Sequence, residues 1–433
     1  MYIVYNVKHY FNLMKNTSRS VNQNVAVIGA GVIGIATAIQ LQQCGYQVTL
    51  LDKQGISEGC SKGNAGHFAT EQVFPLAQAS LLPQLPKMLL DPKGALRISP
   101  SYLFKALPWF VRFLANMRPR IFKQNKEALK KLNCAAINAW QRLTQASNSE
   151  GLFHLNGSLL TFESDSRKNA LTTLEHYKNE GVNVTLLERN ELDELQPGLH
   201  QNITHALYFT DVGHTCSPYQ LNLTLFEHAK SLGVSFKQVE VTSLFTTGSA
   251  VTINTNHDDL VFDALVMCTG AHSKSLCKQL GYNVPLDTER GYHYMVSSEN
   301  MPTLPVVSFE KKFILTPMQE GLRLAGTVEF AGLSKAPTYR RADMLKQLGE
   351  SIWPNMVDDY PEQDKKWMGF RPTLPDSLPV IGRAPKHNNV FFNFGHQHLG
   401  LTLAAICAEL IVCDVQGVKP LIDLTPYSIA RFN

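Results

Sequence analysis

Arg371, followed at once by Pro372 in the segment Trp367-Met-Gly-Phe-Arg371-Pro372, is the side chain of this sequence best suited to hold an anion. A residue that precedes proline is pushed out of the helical region into extended backbone. The guanidinium therefore sits on a rigid segment, where its planar fork of donors matches a carboxylate. A structural ion pair with an acid such as Asp376 fits the same residues equally well. Further on, Gly395-His-Gln-His-Leu-Gly400 carries His396 and His398 at a spacing that a metal would accept. No acid or cysteine nearby completes a ligand set, so no metal is expected, and His398 is assigned to a pocket wall. In Glu289-Arg-Gly-Tyr-His-Tyr294 the strand period puts Tyr292 and Tyr294 on one face and His293 on the other. Tyr292 and His293 are the candidate pocket contacts, with a domain interface as the competing role.

These side chains need a frame, and its clearest sign lies near the start. The apolar run Asn24-Val-Ala-Val-Ile28 reads as a buried parallel strand, and residues 33–43 read as a helix. Between them stands Gly29-Ala-Gly31-Val-Ile-Gly34. Gly29 makes the tight turn, Gly31 lets backbone approach a pyrophosphate, and Gly34 lets helix pack on strand. The phosphates would meet the N–H groups of the helix start at Val32 and Ile33, where the dipole favours anions. A second strand, Gln47-Val-Thr-Leu-Leu51, ends in Asp52, 18 residues after Gly34, placed to accept from ribose hydroxyls. Ser61, Asn64, Ala65 and Gly66 follow closely, small enough for backbone to pass near a ligand. The buried strand at 262–269 runs into Gly270, at the carboxyl edge of a parallel sheet.

The C-terminal part repeats this logic. A strand at 390–394, the turn from Gly395 to Gly400 and an apolar helix over 401–415 present N–H groups of Gly400, Leu401 and Thr402. A ligand that reaches both ends is extended, which suits FAD better than a nicotinamide dinucleotide. The helix dipole would then stabilise negative charge on a reduced ring.

Composition sets the outer limits. The chain has 433 residues, 44% of them hydrophobic and 18% charged, with a net charge of +4. That is enough for two or three domain-sized units and gives no sign of a nucleic-acid binder. Its eight cysteines form no CxxC pair and read as reduced, which with no secretory signal points to the cytoplasm. Residues 1–23 read as a loose extension, and no membrane span is expected. Residues 81–131 are apolar with scattered basic residues. Such a cationic amphipathic region fits either packing on its own domain or peripheral contact with the inner face of the cytoplasmic membrane. Strand-like segments dominate 151–296, and 302–330 reads as an antiparallel sheet followed by helix to residue 353.

Val-Ile-Gly-Ala-Gly-Val-Ile-Gly (27–34), Gly63-Asn-Ala-Gly66, Glu289-Arg-Gly-Tyr292, Gly369-Phe-Arg-Pro372, Pro375-Asp-Ser-Leu-Pro-Val-Ile-Gly382 and Gly395-His-Gln-His-Leu-Gly400 together resemble the FAD-dependent D-amino-acid oxidase superfamily. Within it the chain looks most like bacterial D-amino acid dehydrogenases. Residues 371–402 are similar to those acting on D-proline or 4-hydroxy-D-proline. The resemblance implies an α/β fold: a Rossmann-like FAD-binding domain (24–80, 195–283, 369–433) with an interleaved α+β substrate domain on an antiparallel sheet (81–194, 284–368). It implies noncovalent FAD on Gly29, Gly31, Gly34, Asp52 and Lys53, with Ser61, Asn64 and Gly66 along the ribityl and ring region. Val241 would hold adenine by its backbone, and Gly400, Leu401 and Thr402 would face the flavin edge. It implies that Arg371 binds the substrate carboxylate while hydride passes from Cα to flavin N5. Electrons would then pass to a quinone or another acceptor. A 2-hydroxy acid dehydrogenase or a non-catalytic flavin-binding subunit is the alternative.

Overall fold

The computed structural model describes residues 23–84, 91, 94–297 and 300–432. Residues 1–22 of the expected extension (1–23) and residues 85–90 of the apolar stretch lie outside them.

A six-stranded sheet runs in the order Val380–Arg383, Val390–Phe394, Ala264–Met267, Asn24–Ile28, Gln47–Asp52, Ser235–Gln238. Every neighbouring pair is parallel except Val380–Arg383 with Val390–Phe394. The strand Asn24–Ile28 is continuously apolar from Val25 because both its faces are covered there. Val25 and Val27 enter the core with the helices α1 (Val32–Gln43) and Pro218–Ser231. Ala26 and Ile28 enter a second core with the three-stranded sheet Val241–Thr246, Val251–Thr255, Asp259–Phe262. The strand Val241–Thr246 carries no expectation from sequence, being short and mostly solvated.

The other large sheet has nine strands. Its order is Lys366–Thr373, Asp287–Val296, Gly321–Phe330, Phe313–Met318, Val306–Ser308, Ser158–Glu163, Ile203–Phe209, Val184–Glu188, with Leu96–Ile98 also on Gly321–Phe330. Pairing is antiparallel apart from Val306–Ser308 with Ser158–Glu163 and Leu96–Ile98 with Gly321–Phe330. The helix after it, Arg340–Glu350, stops short of residue 353. Two strands correct the expected grouping: Ile203–Phe209 and Lys366–Thr373 belong to this sheet, not to the nucleotide half. Alternation of side chains tells that a strand exists, but not which edge it pairs with.

The basic excursion divides in two. Helix α2 (Leu103–Asn116) buries Ala106 and Trp109, the latter against Phe330. Helix α3 (Pro119–Ala146) carries Leu132, Ala136 and Trp140 into the nucleotide-side core, so residues 128–146 are not part of the substrate half. Trp140 Nε1 donates to the Leu401 carbonyl at 2.9 Å. It thereby ties α3 to α4 (Gly400–Val415), which is apolar on all sides because α1, α3 and the sheet surround it. Its length and hydropathy would suit a membrane span, yet most of it is buried inside the protein.

Candidate functional site

The glycine turn behaves as its spacing requires. Gly29 has φ +106° and a Cβ there would meet the Cys268 carbonyl at 2.4 Å. At Gly34 a Cβ would sit 1.7 Å from the Gly29 carbonyl oxygen, so helix and turn touch backbone to backbone. Gly31 is different: only Ser61 Oγ lies near, at 3.0 Å, and beyond it is cavity. Gly31 starts α1 without a side-chain cap. The Val32 N–H is held by Ser61 Oγ at 3.0 Å. Asp52 ends its strand accepting from the N–H groups of Ala30 and Gln54, each at 2.8 Å, and so braces the turn.

One cavity of about 900 Å³ joins this turn to the candidate chemistry. Its walls include Gly29, Gly31, Val32, Ile33, Asp52, Lys53, Ser61, Asn64, Ala65, Val241 and Gly270 from the nucleotide side. Tyr292, Gly369, Arg371, His398, Gly400 and Leu401 line it too. These residues fit an extended dinucleotide. The cradle has no side chain where Gly31 faces the cavity, α4 begins without a side-chain cap, and an acid closes the strand end. Lys53 forms a surface ion pair with Glu240 at 3.5 Å.

Arg371 lies in that cavity and not in the alternative ion pair. Asp376 is taken by Arg431, at 2.7 Å. Arg371 Nη1 donates to the Thr327 carbonyl at 3.0 Å. Glu289 stands opposite Arg371 in the antiparallel register. The guanidinium crosses Gly291, where a Cβ would come within 2.3 Å of its Cζ. Burial lowers the Arg371 pKa, Glu289 opposes that, and the group stays charged. Burial raises Glu289, with Arg371 pulling the other way.

Several candidates stand behind the wall. His293 is a correction: its ring stacks on Trp367 at 5.2 Å and its Nδ1 bonds the Gly63 carbonyl at 3.1 Å, so it supports the wall and does not contact a ligand. The reason is the adjacent strand, which places Trp367 over Gly63 and Gly369, where a Cβ would meet its ring at 2.2 and 2.0 Å. Tyr292 lines the cavity, but its hydroxyl donates to Glu329 at 2.5 Å and accepts from the Thr338 N–H at 3.0 Å. Gly66 (φ +75°) and Gly395 (φ +84°) shape turns against the Thr215 carbonyl and Leu374. Thr402 Oγ1 accepts from the Ala69 N–H at 2.9 Å. Cys407 is buried inside α4, and none of the eight cysteines forms a disulfide, Cys60 and Cys134 lying at the surface. No cluster of three metal-ligating side chains occurs among the described residues.

Sequence reading missed Gly291, Thr327, Glu289, His67 and Glu71. The first three share a sheet face with Arg371 only through strand register. His67 and Glu71 carry a local signal, since both follow Gly63-Asn-Ala-Gly66 within five residues. Burial pulls His67 and His398 down to about 4 and His396 to about 3, so all three are neutral near pH 7.

Comparison with known proteins agrees with this geometry. Residues 24–413 match the family described as DAO, FAD dependent oxidoreductase. The chain is 34% identical over 419 residues to a D-amino-acid oxidase of Bradyrhizobium diazoefficiens, covering 95% of this chain and 99% of that protein. It is 29% identical over 421 residues to a D-amino acid dehydrogenase of Vibrio atlanticus, covering 94% and 99%. Among solved structures, glycine oxidase from Geobacillus kaustophilus superposes with TM-score 0.72 at 20% identity, over 95% and 99% of the two chains. L-proline dehydrogenase from P. horikoshii superposes with TM-score 0.70 at 18% identity, over 95% and 98%. The last two likenesses establish the fold alone.

Proposed function

The chain belongs to the DAO family of FAD-dependent oxidoreductases, and from that premise we propose that it oxidises the amine of a D-amino acid. The product is an imino acid that water hydrolyses to a 2-oxo acid. One observation carries the reading: Arg371, held by the Thr327 carbonyl and free of Asp376, shares a cavity with the glycine-lined helix start. Gly29, Gly31, Val32, Asp52, Ser61 and Gly400 would hold FAD noncovalently, and FAD when bound accepts the hydride that leaves Cα. The chain itself supplies orientation. Arg371 pairs with the carboxylate, and the start of α4 directs its positive end into the cavity. Within this class we favour a cyclic amine, D-proline or 4-hydroxy-D-proline, whose product is a cyclic imine; the run 371–402 supports that choice. The test is anaerobic bleaching of the flavin band by D- and L-amino acids, proline derivatives and 2-hydroxy acids. Bleaching by D-amino acids alone is expected. Bleaching by hydroxy acids alone, or by nothing, overturns the reading.

For the electrons' exit we propose a quinone dissolved in an anionic bilayer, reached through α2 on the inner face of the cytoplasmic membrane. Leu103, Phe104, Leu107, Val111 and Leu114 form one stripe of that helix, and Phe104 is 84% exposed. Lys105 and Arg112 lie on the same helix and Arg118, Arg120 and Lys123 follow it, while residues 92–126 contain no Asp or Glu. Such a face matches an anionic lipid surface. The helix also starts beside the cavity: Gly332 packs on Tyr102, and the next residue, Leu333, lines the wall. The protein is expected to float with phosphatidylglycerol vesicles and not with phosphatidylcholine ones, and Phe104→Asp with Val111→Asp is expected to stay in solution. Failure of the unaltered protein to float, or a dimer that the same changes dissolve, overturns the docking surface.

A further inference from the structure

His67 and Glu71 line the cavity, and each ends in a buried atom without a hydrogen-bond partner, Nε2 of His67 and Oε2 of Glu71. The two side chains approach without bonding, His67 Nε2 lying 3.9 Å from Glu71 Oε1. Glu71 Oε1 is held by Gln72 Nε2 at 3.3 Å. The segment is anchored to the start of α4, since the Ala69 N–H donates to Thr402 Oγ1. It is also anchored to α3, where Asn133 Nδ2 donates to the Gln72 carbonyl at 2.9 Å.

The groups facing the pair come from several elements. His214 is the register partner of His67 on the neighbouring strand. Tyr177, on the helix Arg167–Asn179, is raised first by burial and then by the Glu71 charge. His398, at the turn before α4, is lowered first by burial and then by Arg371 and His67. None of His67, His214, His398 or Tyr177 is cationic near pH 7, because burial holds the three imidazoles down to about 4. Glu71 is thus a buried carboxyl whose neighbours offer no counter-ion. Glu289, by contrast, has Arg371 beside it.

An amino acid is a zwitterion, and Arg371 answers only one of its ends. We propose that His67 and Glu71 receive the amino group of the substrate, and that Glu71 takes a proton from it. An N–H bond of the ammonium breaks and its electron pair stays on nitrogen as the lone pair that oxidation requires. An O–H bond forms at Glu71 Oε2, and the proton passes to water after product leaves. This rests on the D-amino acid reading above.

The test is the pH dependence of kcat/KM for flavin bleaching with two D-amino acids whose ammonium groups differ in acidity. If Glu71 is the acceptor, kcat/KM rises with pH through one midpoint common to both substrates, near 7, where burial places this carboxyl. In Glu71→Gln the rise is expected to move up by more than about one pH unit, toward the ammonium range of each substrate. Each unit of that movement lowers kcat/KM at pH 7 about tenfold. A purely structural role lowers the rate without moving the midpoint. Midpoints that follow the substrate in the unaltered protein overturn the proposal, and that measurement needs no variant to fold. Absence of bleaching by any amino acid overturns the parent reading instead.

Discussion

Replacing Gly291 by alanine is expected to disable substrate capture while leaving FAD in place. Gly291 has no positive φ, so its backbone accepts alanine. The obstacle is Arg371: the new methyl would lie 2.3 Å from Cζ, 2.4 Å from Nη2 and 2.7 Å from Nε. Non-bonded heavy atoms settle at about 3.5–4.0 Å, so the guanidinium must retreat by roughly 1 Å. It then loses the 3.0 Å bond to the Thr327 carbonyl that aims it. A hydrogen bond to a charged group is worth about 1.5–3 kcal/mol, and a 1 Å misplacement costs about a hundredfold. The expected loss in kcat/KM is therefore roughly ten- to a hundredfold. The Arg371→Ala variant sets the upper bound, since an unpaired desolvated carboxylate costs about 2–5 kcal/mol. The assay is stopped-flow bleaching under anaerobic conditions across a range of D-amino acid concentrations, with flavin absorbance as the control for cofactor loading. Kinetics within a factor of about two of the unaltered protein, in a fully yellow Gly291→Ala sample, would refute the clamp.

Gly31→Val is expected to fold but purify colourless, because its side chain meets only Ser61 Oγ and otherwise fills the cavity; a yellow protein contradicts the phosphate placement. Asp376→Asn is expected to lower thermal stability by about 3–5 kcal/mol through loss of the buried pair with Arg431. It should leave the KM for amino acid unchanged, which calorimetry and kinetics together check. The apo-protein is expected to lose stability as pH falls below about 6.5. His67, His214 and His398 titrate at about 4 and His396 at about 3 in the fold, against roughly 6.5 when unfolded. The unfolded chain binds these protons first, so their stabilisation is complete above about pH 6.5 and is lost as pH falls. Glu71, raised to about 7, works in the opposite direction and offsets one of the four. The four imidazoles outweigh Glu71, so stability falls on acidification. A thermal midpoint that stays flat from neutral pH down to pH 5 contradicts it.

The nucleotide half was legible because its signals are local. Gly29 and Gly34 must be glycine for reasons carried within one strand, one turn and one helix, and Asp52 follows from the length of a βαβ unit. The same holds for the turn at Gly395 and the apolar helix after it, whose composition already requires burial on every side. The candidate site on the antiparallel sheet was legible only in part. Arg371 stood out by its proline neighbour, while His293 and Tyr292 looked equivalent to pocket residues until their neighbours on the flanking strands were known.

Residue types and short spacings determined, without any coordinates, that this chain cradles an extended dinucleotide and carries one arginine on extended backbone suited to a carboxylate. Tertiary structure alone decided which atoms surround that arginine: Thr327 from one strand, Glu289 and Gly291 from another, and Asp376 drawn away to Arg431 near the C-terminus. It also decided that His67 and Glu71 meet the cavity with unpartnered atoms. The reason is physical. Turns and helix starts are governed by steric and hydrogen-bond rules acting over a few residues, whereas strand register joins segments tens to hundreds of residues apart and depends on packing of the whole sheet.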